Sequence, residues 1–114
     1  MRRYPHLGTP TSEPRPGEVT IPHLRMHAAG LASSTYIEFV RFDADSPLPA
    51  LVQTVPHVAF EVDDLEAEVA GALAAGCRLL IAPNEPSLGV GVAFVEEDGA
   101  PVEFLQIDPD RTGL

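Results

Sequence analysis

The sequence contains no lysine and no tryptophan, and only one cysteine. Without lysine there is neither a Schiff-base nucleophile nor the lysine of a phosphate-binding loop. Without tryptophan, and with five Phe and two Tyr, a large flat ligand finds few rings to stack on. The lone Cys77 excludes an internal disulfide framework and fits a reducing, cytoplasmic compartment. It stands among apolar residues after a helix and reads as inert. No apolar run approaches the roughly 18 residues that span a bilayer, and no apolar stretch follows Arg2 and Arg3, so no secretory signal is expected. Positive charge is scarce as well. Seven Arg face 17 acidic residues, a net charge of -10. That balance argues against nucleic acid and against anionic membrane surfaces as partners. Carboxylates, four histidines and a bound ion remain as chemical equipment.

The 114 residues, 45% of them apolar, suffice for one domain with one core. The second half has the clearer pattern. Thr54 to Val62 is strand-like, with Val55, Val58, Phe60 and Val62 as β-formers and Pro56 near the start. Asp63 with Glu66 three residues on makes a capping box. Leu65, Val69, Ala72 and Leu73 then follow helical spacing. The helix is expected from Asp64 to Ala75, ended by Gly76 in a left-handed turn. Strands are expected at Cys77 to Ile81, Val90 to Glu96 and Pro101 to Asp108. Pro83, Asn84, Pro86 and Gly89 mark a loop, and Asp98-Gly99 marks a hairpin. Glu96-Glu97-Asp98 reads as its solvated end.

The first half is less regular. Arg3 to Gly8 suits a short strand. Thr9 to Gly17 holds three prolines and cannot be a helix. Glu18 to Ala28 reads as extended with a break at Pro22, Gly30 to Ser34 as a turn, Thr35 to Phe42 as a strand, and Asp43 to Ala50 as a linker. His23, Arg25 and His27 alternate along what would be one strand face, either a solvated edge or a contact for an anionic substrate.

An internal repeat organises these parts. Ile37-Glu38-Phe39-Val40-Arg41-Phe42-Asp43-Ala44-Asp45 aligns with Val102-Glu103-Phe104-Leu105-Gln106-Ile107-Asp108-Pro109-Asp110, four of nine positions being identical. Pro5-His6-Leu7 aligns with Pro56-His57-Val58. The His-to-Glu spacing is 46 residues in the second half and 32 in the first. The shortfall is about a helix plus a joint. Two copies imply pseudo-twofold symmetry around a shared site.

Glu38 and Glu103 sit in apolar strands, where a carboxylate is costly unless exposed, paired or metal-bound. Glu103 shares a face with Leu105 and Ile107, and His57 shares one with Ala59 and Glu61. A single strand His or Glu is ordinarily filler or surface. Recurrence at matched places in both halves singles out these four. Two imidazoles and two carboxylates suit a divalent ion such as Zn, Ni, Co, Mn or Fe(II), with two positions left for water or a chelating substrate.

The stretches "PHVAFEVDDLEA", "AAGCRLL", "GVAFVEEDGAPVEFLQ" and "YIEFVRF" resemble the glyoxalase / bleomycin-resistance / extradiol-dioxygenase superfamily, the vicinal oxygen chelate proteins. The resemblance covers nearly all of the second half and, more weakly, the first. It implies an α+β fold in which two βαβββ modules pair into a cupped mixed sheet. Residues 1–114 would form a single glyoxalase-like domain, with a reduced N-terminal module over 1–50 lacking its helix and a complete module over 51–114. Metal ligands would come from the first and last strands of each module: His6, Glu38, His57 and Glu103. The implied activity is that of a metal-dependent isomerase, lyase or epimerase acting on a small hydroxy-carbonyl substrate. One of Glu38 and Glu103 would act as base while the other stays bound, and which does which is left open. The alternatives are a resistance-type binding protein without chemistry and an extradiol dioxygenase, for which Glu38 is a surplus carboxylate. A homodimer would cover the edge strand that a shortened module leaves.

Overall fold

The computed structural model describes residues 2–30 and 35–112. Four strands make up the N-terminal half: β1 (Arg2–Pro10), β2 (Val19–Ile21), β3 (Met26–Ala29) and β4 (Ile37–Phe42). A short helix, α1 (Ala50–Thr54), leads into β5 (His57–Val62), α2 (Leu65–Ala74), β6 (Arg78–Ser87), β7 (Val90–Glu97) and β8 (Ala100–Ile107), and a last turn, α3 (Pro109–Thr112), follows.

All eight strands join one sheet in the order β2-β3-β4-β1-β5-β8-β7-β6. Outward from the β1–β5 seam, each half runs first strand, fourth, third, second. The first and fourth strands of each half pair parallel, and the remaining neighbours pair antiparallel. This is the expected cupped mixed sheet of α+β class, with no helix between β1 and β2.

Both faces of the second half are covered, which explains why its strands read as nearly continuous apolar runs. Behind the sheet, Leu65 and Val69 of α2 pack on Val62, Ala93, Val95 and Phe104. Burying two such side chains contributes about 1.5–3 kcal/mol each. That outweighs the weak helix preference of ten residues and fixes α2 against the sheet. On the concave side Val52 of α1 packs with Val92 and Phe94.

The cap of α2 is one residue later than the expected Asp63. Asp64 is in extended conformation and its side chain accepts from the Ala67 N–H at 3.1 Å. Gly76, at φ +102°, ends the helix as expected. Asp98 and Gly99 both have positive φ and join β7 to β8 in a tight hairpin.

The N-terminal half replaces its helix with a strap. Thr11 N–H donates to the Val40 carbonyl at 2.9 Å. The Arg15 guanidinium lies 3.6 Å from the Phe39 ring centroid, and Arg41 forks onto Glu18 at 2.7 and 3.0 Å. Phe39 and Arg41 alternate with the cup-facing Glu38 and Val40, so the strap crosses the back of the sheet. Leu7, on the same back face, stays 43% exposed.

Several expectations are corrected. Residues 50–54 are helical, and the strand expected from Thr54 begins at His57. The loop expected around Pro83 and Pro86 is strand: β6 continues to Ser87 through three register shifts. Proline is tolerated there because β6 is an edge strand. His23, Arg25 and His27 do not share a strand face. Pro22 opens a 3-10 turn (Pro22–Leu24), Arg25 is left-handed at φ 52°, and only His27 lies in a strand. The turn expected over Gly30 to Ser34 falls, from residue 31 on, outside the described residues. Among the described residues no helix is long and apolar enough to cross a membrane.

Candidate metal centre

Register across the seam brings the four sequence-identified side chains together. On β1, His6 and Gly8 point into the cup. On β5, His57 and Ala59 do. The strands are antiparallel, so His6 pairs with Ala59 and Gly8 with His57. The flanking parallel ladders place Glu38 beside Gly8 and Glu103 beside Ala59. Each imidazole therefore faces a small residue across the seam, and each carboxylate lies beside one.

One donor atom from each of His6, Glu38, His57 and Glu103 can be chosen so that all four lie within 4.8 Å of one another. His57 Nε2 is 2.8 Å from Glu103 Oε1. His6 Nε2 is 3.6 Å from Glu38 Oε1 and 3.7 Å from Glu103 Oε1. The group is buried: His57 is 3% exposed, Glu103 7% and Glu38 9%. The His57 ring stands edge-on to Phe94, centroids 4.9 Å apart.

The donor set fits a divalent ion. Donors sharing one ion at about 2.0–2.2 Å lie roughly 3 to 4.4 Å apart, so the cluster needs to close by only a few tenths of an ångström. His6 Nε2 is buried without a hydrogen-bond partner, although it points between two carboxylates. Two buried carboxylates so close repel each other, and a doubly charged cation would balance them.

A further residue, not identified from sequence, completes the site. A Cβ at Gly8 would stand 2.0 Å from His57 Cε1 and 2.3 Å from Nε2. The imidazole occupies the space where any other side chain would begin. One sequence signal was present: both copies carry a small residue two positions after the histidine, Gly8 and Ala59.

His6 titrates above its ordinary value of 6.5. Burial pulls the imidazole down, but contact with Glu38 and the charges of Glu103 and Glu38 more than offset it. In the metal-free protein, protonated His6 thus adds stability below pH 6.5, and this is lost as pH rises through the raised value. The same proton competes with a metal. Metal affinity, followed by calorimetric titration with manganese, is expected to weaken as pH falls from about 8 to 6. A flat profile would remove His6 from the ligand set.

The remaining histidines serve elsewhere. His27 Nε2 donates to Asp43 Oδ1 at 3.0 Å, and its Nδ1 is 2.9 Å from Thr20 Oγ1. This chain ties β2 to β3 and β4. His23 is exposed in the 3-10 turn. Cys77 is free and half-buried, against the core behind the sheet.

Glu38, His57 and Glu103 lie in the wall of a cavity of about 440 Å³ filling the cup. Most of the wall is aliphatic, from Ile21, Met26, Val40, Val52, Val92 and Leu105 among others. The volume is at the lower end of small-molecule sites.

No family model and no curated protein matches the sequence. Solved structures do share its fold. A hypothetical protein from Bacillus halodurans superposes with a TM-score of 0.71 at 17% identity, covering 94% of this chain and 95% of that one. Methylmalonyl-CoA epimerase from Mycobacterium tuberculosis superposes with a TM-score of 0.63 at 14% identity, covering 99% of this chain and 91% of that one. The sheet that carries the four donors is thus similar, along nearly its whole length, to that of a known epimerase.

Proposed function

We propose that this chain is a metal-dependent isomerase or epimerase of the glyoxalase type, acting on a small molecule with a hydroxyl beside a carbonyl. One observation carries the reading: two His and two Glu, from matched places in the two halves, converge within 4.8 Å, and Glu38, His57 and Glu103 line a cavity. The fold shared with an epimerase supports it. The module boundaries at 1–50 and 51–114 follow from the same reading, with His6 and Glu38 supplied by the first unit and His57 and Glu103 by the second.

His6, His57, Glu38 and Glu103 would hold the ion. A bound divalent ion would stabilise the negative charge developing on the substrate's carbonyl oxygen, acidifying the adjacent hydroxyl-bearing carbon. Glu103 is held between both imidazoles, at 2.8 and 3.7 Å. Glu38 approaches only His6 among them, at 3.6 Å. Glu38 is therefore the freer carboxylate, and we assign it the base that takes the proton from carbon and returns it.

The test is solvent-proton exchange. Manganese-loaded protein with a dialkyl acyloin in heavy water should wash deuterium into the carbinol position, followed by NMR. Glu38→Gln should slow this by about 100-fold or more. A protein that binds both manganese and acyloin without exchange would instead be a binding module. The aliphatic wall, which offers no acid or base beyond the four donors among the described residues, favours that second reading over a dioxygenase.

A further inference from the structure

We infer that the molecule held in the cup is neutral and largely aliphatic, presents hydroxyl donors, and carries no carboxylate, phosphate or other anion. The inference rests on the preceding reading only in placing the ligand's oxygen-bearing end at the four donors.

Charge is the first argument. The cavity wall holds no arginine among the described residues, and the sequence has no lysine. The arginines whose side chains are described are engaged elsewhere. Arg15 covers Phe39, Arg25 faces Asp45, Arg41 forks onto Glu18, and Arg78 and Arg111 pair with Glu96 and Glu85. The charged groups in the wall are Glu38 and Glu103. With a divalent ion those two carboxylates already sum to zero. An anionic ligand would add negative charge to an apolar enclosure with no cation to meet it, which is unfavourable.

Hydrogen-bond polarity is the second argument, and it is independent. Besides the metal-site residues the wall's polar side chains are Asn84 and Ser87, since the Thr20 hydroxyl turns to the back of the sheet with His27 and Arg41. Asn84 Nδ2 donates to two backbone carbonyls, Ala82 O at 2.9 Å and Val92 O at 3.2 Å. Both amide hydrogens are committed, so Oδ1, an acceptor, is what Asn84 has left to offer. A carboxylate or phosphate brings only an acceptor to that oxygen. A hydroxyl brings the missing hydrogen.

The third argument is the wall itself. Aliphatic residues of both halves, such as Ile21, Val40, Val52, Val90 and Leu105, enclose the space. Each methylene placed there should tighten binding about three- to four-fold.

The experiment compares dialkyl acyloins of growing chain length with the same skeletons bearing a terminal carboxylate. Binding to the manganese-loaded chain is read by calorimetry. The neutral series is expected to gain about three- to four-fold per methylene and to exceed its carboxylated counterpart at least ten-fold. Met26→Arg, which sets a cation in the cavity wall, should narrow or reverse that preference. Equal or tighter binding of the acids to the unsubstituted chain, or no saturable binding of any neutral acyloin, overturns the inference. Manganese titration without acyloin reads the metal centre separately. In metal-free protein the methylene increment should persist at weaker overall affinity. A chain that takes up no metal but keeps that increment would therefore refute the proposed function and leave this inference standing.

Discussion

Gly8→Ala is expected to cost the protein its metal site while leaving the sheet folded. The added Cβ would stand 2.0 Å from His57 Cε1, a distance no real pair of carbons tolerates. The clash is with a ring, not with the end of a flexible chain. His57 is 3% exposed and held edge-on to Phe94, so the ring cannot swing aside without displacing the concave core. Overpacking of this kind costs about 1–3 kcal/mol in stability, which a domain of ordinary stability survives. The metal site is less forgiving. Moving one of four ligands off its position should weaken metal binding by about 100-fold or more. The expected result is a soluble, folded variant with a modestly lowered Tm and little metal-induced rise in Tm. Leu7→Ala, one residue away on the outer face, should leave metal affinity unchanged. Unaltered metal binding in Gly8→Ala would mean that His57 is not a ligand.

The second large effect concerns the two carboxylates, which should respond with opposite signs in the metal-free protein. At a pH well above the raised value at which His6 loses its proton, Glu38 is a buried charge beside a second buried carboxylate. Glu38→Gln removes that repulsion and keeps the shape, and is expected to stabilise the metal-free chain by about 1 kcal/mol, some 4–8 °C in Tm. Glu103 has a partner, His57, at 2.8 Å. Glu103→Leu strands that imidazole in the core and is expected to destabilise by about 3 kcal/mol. Glu103→Leu should abolish, and Glu38→Gln only reduce, the metal-induced stabilisation, which is about 4 kcal/mol for the unsubstituted chain at a thousand-fold excess of metal over Kd. Thermal melts with and without manganese check all three statements. A Glu38→Gln chain less stable than its parent without metal would show that the two carboxylates do not strain the fold.

The donors were legible in the sequence because of duplication. One His or Glu on a strand says little, but Pro-His-aliphatic and aliphatic-Glu-Phe recurring in both halves mark matched places. Strand periodicity then puts each on a definite face. Gly8 was harder to see because its contribution is the absence of a side chain, and only the register of β1 on β5 reveals what enters the gap. The extent of β6 was hidden by Pro83 and Pro86, which punctuate a sequence as a loop would but are tolerated at a sheet edge. The five-residue α1 is too short to show a helical period. The alternation of His23, Arg25 and His27 misled because period two has no meaning where Pro22 winds the chain into a 3-10 turn. The shift of the α2 cap from Asp63 to Asp64 is of another kind: two adjacent acids can each cap, and tertiary contacts choose between them.

The strap across the N-terminal half separates two jobs that a backing helix would combine. β1 and β4 are each flanked on both sides by ladder bonds, so the sheet alone holds His6 and Glu38 in place. Whatever lies behind them has only to keep water off Phe39, and a proline-stiffened stretch with one arginine and one ion pair suffices. The scaffold that aims the chemistry and the layer that insulates it can therefore change at different rates. A lineage carrying this architecture is free to trim, lengthen or swap the rear covering of one half while the reactive centre stays where it is.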